Sequence, residues 1–194
     1  GAVPDVCIHL AWHGWSGPSP TSEENLSSLA SSVELLRALT TVGCRRFVGV
    51  GTGFEYEITT APLAETTPTK PTDLYGVCKH AVFEAARTLS KVVNLEVAWA
   101  RVFLVYGPFD NPRRLVPSLA RSLIRGESAR VTRGEQVRDL MHVEDAASAI
   151  WALAESAEIG PMNIASGRPV RVADVADCIA AIIGRPELLR IGAL

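Results

Sequence analysis

The hydrophobic residues of this chain fall into short continuous runs, separated by longer stretches in which apolar residues recur every three or four positions. A short apolar run is typical of a strand buried on both faces of a parallel sheet, and the wider spacing is typical of a helix with one buried face. The runs predict strands at residues 6–11, 46–50, 95–105 and 162–165. The spacing predicts helices at residues 21–42, 74–92, 115–125, 145–157 and 172–183. Strands that alternate with helices predict an α/β fold.

Several predicted elements carry signals at their ends. Thr21 and Glu24 form the pattern of a capping box at the start of the first helix, and Gly43 marks its end. Residues 129–131 and 137–140 predict two further short strands. The predicted core stripes of the second and last helices are Cys78, Val82, Ala85 and Leu89, and Val172, Val175, Ile179, Ile182 and Ile183.

Composition narrows the class of protein. The chain has 194 residues, of which 47% are hydrophobic, and nothing in its composition separates independent domains, so one globular unit is expected. A net charge of −2 with dispersed Lys and Arg argues against binding to nucleic acid or to a membrane surface. The four cysteines are far apart and have no histidine at ligand spacing, which argues against disulfides and against a metal site. No long apolar run or signal peptide is present in the sequence, so a cytoplasmic protein is expected.

Candidate chemistry centres on Tyr75 and Lys79, which lie four residues apart and therefore on one face of the second predicted helix. A neighbouring ammonium favours the phenolate form of a tyrosine, so Tyr75 could exchange protons with a substrate near neutral pH. The alternative is a surface tyrosine beside a surface lysine. The spacing alone occurs too often by chance to identify an enzyme.

Further segments place this pair in a family context. Before the pair, an apolar strand ends at Gly51-Thr52-Gly53. After the pair comes the segment Ala100-Arg101-Val102-Phe103-Leu104-Val105-Tyr106-Gly107-Pro108. A third segment, at residues 136–145, contains Arg138. Together these segments resemble the extended short-chain dehydrogenase/reductases, the NAD-dependent epimerase/dehydratase family that modifies sugar nucleotides. The resemblance runs from Asp5 to about Ile191. It implies part of a Rossmann-type doubly wound parallel sheet at residues 1–107, rejoined by about 140–165, and part of a smaller substrate-binding domain at 108–139 and 166–194.

The resemblance also implies roles for individual residues. Thr52, Tyr75 and Lys79 would be catalytic, with the Thr52 hydroxyl bonded to the reacting sugar oxygen; the alternative for Thr52 is a hydroxyl that satisfies local turn backbone. Arg138 would bind the nucleotide diphosphate, for which a guanidinium is suited, or else be a solvated hairpin arginine. The residues expected to contact NAD or NADP are Leu10, Ala11, Tyr75, Lys79 and Val102. His9 is given no catalytic role.

The sequence departs from the family at one important place. No strand, glycine-rich loop and helix opens the chain to hold a pyrophosphate, and the glycines of residues 49–53 are followed by no helix, so we reject them as a phosphate cradle. The chain is therefore expected to be the middle of a longer protein and to bind dinucleotide poorly by itself. In the family's strand order, residues 6–11 would then form an open sheet edge.

The expected function is hydride transfer at C4 of a nucleotide-linked sugar, as a 4-ketoreductase or a 4-epimerase. Gly53 and Phe54 stand where the family's dehydratases carry an acidic pair, and Leu104 stands where its epimerases often carry asparagine. The alternatives are a catalytically inactive fragment and a non-catalytic nucleotide-sensing relative of the same fold. The expected partner is a nucleotide-sugar substrate, and a homodimer is compatible with the sequence.

Overall fold

The computed structural model describes residues 3–13, 20–57, 59 and 61–194. In chain order its strands and α-helices are β1 (Val6–His9), α1 (Glu24–Val42), β2 (Arg46–Thr52), α2 (Leu74–Leu89), β3 (Glu96–Val102), β4 (Leu104–Tyr106), α3 (Leu115–Ile124), β5 (Ala129–Val131), β6 (Val137–His142), α4 (Val143–Glu155), β7 (Gly160–Ile164), β8 (Pro169–Arg171), α5 (Val172–Ile183) and β9 (Leu189–Ile191). Two 3-10 turns, Gly53–Glu55 and Pro186–Leu188, complete the described elements. The predicted α/β fold class is confirmed.

The chain divides into two compact units. The first unit is Gly1–Phe103 with Ala146–Ile164, and the second unit is Leu104–Asp145 with Ala165–Leu194. The first unit contains a four-stranded sheet in the order β1-β2-β3-β7, in which all pairs are parallel. Among the strands of the described residues, β1 lies at the edge of this sheet, as the sequence predicted, although it ends at His9 and not at residue 11.

The core of the first unit forms where α1 and α2 pack against β2 and β3. Phe47 and Trp99 from the strands are almost completely buried against Leu36 of α1 and Val82 of α2. The predicted stripe of α2 was right for Cys78 and Val82 and wrong for Ala85, which is exposed. Phe83 and Ala86 are buried in its place, because the buried face of α2 is turned toward Trp99.

The ends of α1 are set by different forces. Gly43 ends the helix in a left-handed conformation with φ 79°, as predicted, and donates its N–H to the last helical carbonyls. The predicted capping box of Thr21 and Glu24 is wrong, because the N-cap residue is Glu23 and makes no side-chain cap bond. A tertiary contact lies three residues before the N-cap, where the carbonyl of Pro20 accepts the N–H of Tyr75 at 3.0 Å.

One buried cation ties the strands of the first unit to its last helix. Arg46 in β2 is 6% exposed and donates to the carbonyls of Leu153 at 2.9 Å and Glu158 at 2.7 Å. It also pairs with Glu96 across the sheet at 2.9 Å. The guanidinium therefore satisfies carbonyls at and beyond the C-terminal end of α4, where helical partners are missing.

The second unit has two smaller sheets. In one, β4 pairs parallel with β6, and β6 pairs antiparallel with β8; in the other, β5 pairs parallel with β9. The single strand predicted at 95–105 is thus two strands, β3 and β4, which belong to different sheets and are interrupted at Phe103. Ile182 was predicted in the core of α5 but is 80% exposed. The residues buried in this core are Leu119, Leu123, Ala129, Val131, Ala176 and Ala180.

Candidate functional site

The carboxyl ends of the parallel strands bring several predicted site residues to one edge of the first unit's sheet. Thr52 is the last residue of β2 and is in register with Val102, the last residue of β3. Leu10 and Ala11 follow directly after β1, and both are exposed. Ligands of open α/β sheets bind at this edge, so the four residues lie where a ligand is expected.

Helix α2 begins against the turn that follows β2. Asp73 caps the helix by accepting the N–H of Gly76 at 2.7 Å. Gly76 is required at this contact because a Cβ there would lie 2.6 Å from the carbonyl oxygen of Phe54. The close approach brings Tyr75 to the same turn, where the edge of its ring meets Phe54 with 6.3 Å between ring centroids. A second edge contact joins Tyr75 to Trp12 at 6.2 Å.

Lys79 is a buried cation in the same place. It is 4% exposed, and its Nζ donates to the carbonyl of Val50 in β2 at 2.9 Å. The indole ring of Trp12 covers the ammonium at 4.0 Å, and the ring of Tyr75 is 5.9 Å away. Burial lowers the pKa of Lys79 to about 8, although the charge of Glu55 opposes this shift.

The geometry of Thr52 includes the local role that the sequence left open as an alternative. Its hydroxyl accepts the N–H of Phe54 at 3.3 Å and so caps the 3-10 turn Gly53–Glu55. The side chain is 5% exposed. The bond to Phe54 uses one acceptor position of the hydroxyl, and the hydroxyl hydrogen is still able to donate elsewhere.

Sequence reasoning missed Glu55, which is 0% exposed and lies directly behind Thr52. Its carboxylate accepts the backbone N–H of Thr52 at 2.8 Å, Nε1 of Trp99 at 2.9 Å and Nε of Arg101 at 3.0 Å. Burial by itself raises the pKa of the Glu55 carboxyl, but His80, the bonds from Thr52 and Trp99, and the Arg101 charge together hold it below its usual range. The one feature of the sequence that could have pointed to it is the alternation of Gly49 and Gly51, which in the structure leaves room for the Trp99 ring and the Glu55 carboxylate.

His9 has a structural environment, in keeping with the absence of a predicted role. Its Nε2 lies 2.8 Å from the hydroxyl of Ser32 in α1, which fixes β1 to the helix. Burial, together with the nearby Lys79 charge, lowers the pKa of His9. The imidazole is therefore biased toward its neutral form beside a cationic group.

Arg138 lies in the second unit, at the wall of a cavity of about 250 Å³. Its side chain is exposed, and NH1 donates to the carbonyl of the preceding Val137 at 2.8 Å. Arg114 also lines the cavity and pairs with Asp110 at 3.3 Å. The remaining lining residues are Leu104, Val105, Tyr106, Asp110, Leu115, Val116, Gln136, Leu140 and Val172.

Two further findings concern other classes of site. Among the residues that the structure describes, no group of three His, Cys, Asp or Glu side chains could hold a metal ion. Within the same part of the chain, no helix has the length and apolar character needed to cross a membrane.

The chain matches known proteins over most of its length. The model of the NAD dependent epimerase/dehydratase family matches residues 2–165. The chain is 35% identical over 92 residues to dTDP-4-dehydro-6-deoxy-D-allose reductase of Streptomyces sp, an alignment that covers 45% of this chain and 28% of the relative. Both findings confirm the resemblance inferred from the motifs.

Solved structures agree with this result. UDP-N-acetylglucosamine 4-epimerase from Methanobrevibacter ruminantium M1 superposes with a TM-score of 0.89 at 22% identity, over 96% of this chain and 63% of that one, and so shares the fold. MoeE5 in complex with UDP-glucose and NAD superposes with a TM-score of 0.82 at 28% identity, over 97% of this chain and 66% of that one. The chain thus spans less than two thirds of the length of each of these three relatives. The expected cofactor, NAD or NADP, is confirmed at the level of the family, whose description names NAD.

Proposed function

Because the chain belongs to the NAD dependent epimerase/dehydratase family, we propose that the full-length gene product transfers a hydride at C4 of a nucleotide-linked sugar and uses NAD or NADP. The observation that carries this proposal is the convergence of Tyr75, Lys79 and Thr52 at the end of β2. The Gly76 contact with Phe54 and the Lys79 bond to Val50 hold these residues together.

NAD or NADP, when bound, accepts or supplies the hydride. Lys79 fits a role in holding it, because the ammonium carries three N–H groups and the Val50 carbonyl takes one, which leaves donors for a hydroxyl of the nicotinamide ribose. Leu10, Ala11 and Val102 lie at the same sheet edge and are the other proposed cofactor contacts.

The proton is handled by Tyr75. In the reducing direction the hydride adds to C4, and the Tyr75 hydroxyl gives its proton to the oxygen on that carbon. In the oxidising direction the tyrosine takes the proton from the C4 hydroxyl. The Lys79 ammonium, 5.9 Å from the ring, stabilises the phenolate that forms when the proton leaves. Thr52 orients the C4 oxygen by donating its hydroxyl hydrogen to it.

Arg138 is proposed to bind the diphosphate of the substrate. The cavity that it lines also carries Arg114, so a second guanidinium, paired with Asp110, lies in the same wall. A guanidinium can bind two phosphate oxygens at once, which suits this task.

Reduction or epimerisation at C4 is favoured over 4,6-dehydration. Elimination of water needs an additional acid and base, but Gly53 and Phe54 cannot carry a proton. Glu55 does not replace them, because its carboxylate is 0% exposed and accepts bonds from Trp99 and Arg101. Leu104 in place of the epimerases' asparagine and the similarity to the Streptomyces reductase favour reduction of a 4-keto sugar.

The test offers the full-length gene product a 4-keto-6-deoxy sugar nucleotide with NADPH or NADH, and a UDP-hexose with NAD. We expect turnover of at least one pair, and a Tyr75→Phe variant whose kcat is lower by about 10²- to 10⁴-fold, the usual contribution of a general acid or base. Tyr56→Phe is the matched control: it removes a hydroxyl bonded to Asn163 at 2.6 Å and should keep near-wild-type kcat.

Two results would contradict the proposal. A 4-keto-6-deoxy product formed from an unmodified hexose would identify a dehydratase. Wild-type kcat in Tyr75→Phe would remove the proposed acid and base. Binding of sugar nucleotide without any turnover would instead favour the non-catalytic nucleotide-sensing alternative.

A further inference from the structure

A buried polar cluster lies next to the 3-10 turn Gly53–Glu55 of the first unit, and its centre is Glu55. Three donors from two neighbouring segments converge on the carboxylate: the backbone N–H of Thr52 at the end of β2, and Nε1 of Trp99 and Nε of Arg101 from β3. Nδ1 of His80 in α2 is 3.7 Å from Oε2, which is too long for a hydrogen bond but close enough for its charge to act when the ring is protonated.

The sheet has a gap shaped to receive this carboxylate. A Cβ at Gly51 would lie 2.2 Å from Oε1 of Glu55 and 2.2 Å from Nε1 of Trp99, and a Cβ at Gly49 would lie 2.1 Å from the Trp99 ring. The glycines that resembled a phosphate loop in the sequence therefore make room for Glu55 and its tryptophan partner. An acidic side chain in a 3-10 turn is normally solvated, so its burial here needs the whole arrangement.

We propose that Glu55 is a positioning residue, whose carboxylate fixes the turn that carries Thr52 and supplies the fixed negative charge that stabilises the Lys79 ammonium. This inference rests on the catalytic roles proposed above for Thr52 and Lys79. Glu55 touches neither substrate nor cofactor, and it acts through those two residues.

The link to Thr52 is direct. The Thr52 N–H donates to Glu55 while the Thr52 hydroxyl accepts from Phe54, so the two residues cap the same turn reciprocally. The backbone of Thr52 is thereby fixed on both sides, and its hydroxyl keeps one orientation relative to the C4 oxygen. A small displacement of such a group has a large effect on rate.

The link to Lys79 is electrostatic and runs across one peptide of β2. Nζ of Lys79 bonds the carbonyl of Val50, and the Glu55 carboxylate occupies the space beside the next residue, Gly51. Burial disfavours the ammonium, and the Glu55 charge favours it. The other titratable groups near Lys79 are His9 on β1, which faces the same cation, and Tyr75 on α2. Around Glu55 itself, the Arg101 charge offsets part of the carboxylate charge, and Nδ1 of His80 lies 3.7 Å from Oε2. Neither an imidazole nor a protonated phenol is an anion, so among the described residues Glu55 is the carboxylate whose charge supports Lys79.

The test compares Glu55→Gln, Glu55→Asp and the wild type in the full-length gene product. Glu57→Gln is the matched control, because Glu57 lies two residues away and pairs with Lys70 at the surface at 3.1 Å. Protein labelled with ¹³C at lysine Cε gives the pKa of Lys79 by NMR, with Lys79→Arg used to assign the signal. Steady-state kinetics give kcat, KM and the pH profile, and circular dichroism reports folding.

In Glu55→Gln we expect the pKa of Lys79 to be lower than in the wild type. We also expect kcat to fall about 10- to 100-fold, which corresponds to the free energy of a hydrogen bond to a charged group. KM should change little. Glu55→Asp keeps the charge, but its side chain is too short to reach the Thr52 N–H. The pKa of Lys79 should therefore stay near the wild-type value while kcat still falls. Glu57→Gln should match the wild type in every measurement.

Opposite results decide against the inference. A folded Glu55→Gln with unchanged Lys79 titration and kcat would overturn it. If Glu55→Gln does not fold, Glu55→Asp tests the inference instead. Wild-type kcat in that variant would show that Glu55 stabilises the fold but does not position Thr52. If the wild type turns over no substrate, the proposed function has failed, yet the NMR titration still reports whether Glu55 supports Lys79.

Discussion

Lys79 in the first unit and Arg138 in the second unit are both cations at proposed ligand sites, but their surroundings differ. Lys79 is 4% exposed and is held by a strand carbonyl, an indole ring and the charge of Glu55. Arg138 is exposed on β6, and NH1 bonds only to the carbonyl of its own neighbour, Val137, within the described chain. The fold has already desolvated and oriented the first cation, whereas the second is free to arrange itself around a ligand.

The difference fits the different roles proposed for the two cations. Chemistry needs groups that are oriented before the reaction, because reorganisation at the moment of transfer is costly. Recognition of a flexible diphosphate tolerates a mobile side chain, which can adjust until both phosphate oxygens are bonded. The following predictions test whether burial makes the two cations behave differently in stability and in ligand binding.

The largest expected effect is on pH-dependent stability. Lys79 has a pKa of about 8 in the folded protein against an ordinary value of 10.5, so between these pH values the unfolded chain binds more protons and stability rises with pH. We expect the free energy of unfolding to gain about 3 kcal/mol across that interval from this group, since each pKa unit is worth ~1.36 kcal/mol. Lys79→Met should lack this gain in urea denaturation at a series of pH values.

Lys91→Met provides the control, because Lys91 is exposed beyond the end of α2. It should keep the full rise of the wild type. If Lys79→Met rises in parallel with the wild type, the lysine is not desolvated, and the contrast with Arg138 disappears.

The next effect concerns ligand binding to the second unit. Arg138→Ala should weaken sugar-nucleotide binding by about 1.5–3 kcal/mol, the range for a hydrogen bond to a charged group, while cofactor affinity changes little. Calorimetry at fixed salt on the full-length gene product would measure it. Arg168→Ala is the control, since Arg168 is an exposed arginine of the same unit outside the cavity lining. An unchanged Kd in Arg138→Ala would mean that Arg138 is an ordinary solvated arginine.

The smallest expected effect is on the free energy of unfolding, and it reports how tightly the first unit is packed around its buried charges. Gly51→Ala should lower the free energy of unfolding by about 1–3 kcal/mol, the usual cost of overpacking, because its Cβ would collide with Glu55 and Trp99. In Gly53→Ala the new Cβ would approach only the Phe103 ring, at 3.2 Å, so the loss should be smaller. Equal losses in the two variants would show that the Glu55 gap is not closely packed.

Much of the fold could be predicted because its signals are local. The apolar runs of β2 and β3 and the left-handed glycine after α1 depend on neighbouring residues only, and they were found. The start of α1 was misplaced because the hydroxyl of Ser22, the residue after Thr21, accepts the N–H of Glu24 in the first turn. Ile182 was misplaced because helical spacing identifies a stripe but not how wide its buried face is.

The candidate site was only partly predictable for the same reason. The Tyr75–Lys79 spacing and the motif around Thr52 are contiguous in sequence and were recognised. Glu55 has partners at Trp99 and Arg101, more than forty positions later, and a single charged residue in a turn gives no sign of them. Burial of Lys79 under Trp12 is likewise a tertiary event.

The discontinuity of the first unit has a consequence for biosynthesis. Strand β7 pairs with β3, and the Arg46 guanidinium binds the carbonyls of Leu153 and Glu158. Residues that are synthesised early therefore cannot make these contacts until the residues near the end of the unit have been synthesised. The ribosome must synthesise the whole segment 104–145 before this sheet can gain its fourth strand. Until then β3 has an open edge on a nascent chain, a known route to aggregation. We therefore expect a folding rate limited by this long-range closure, which is slow because loop-closure entropy is lost before the strand contacts form.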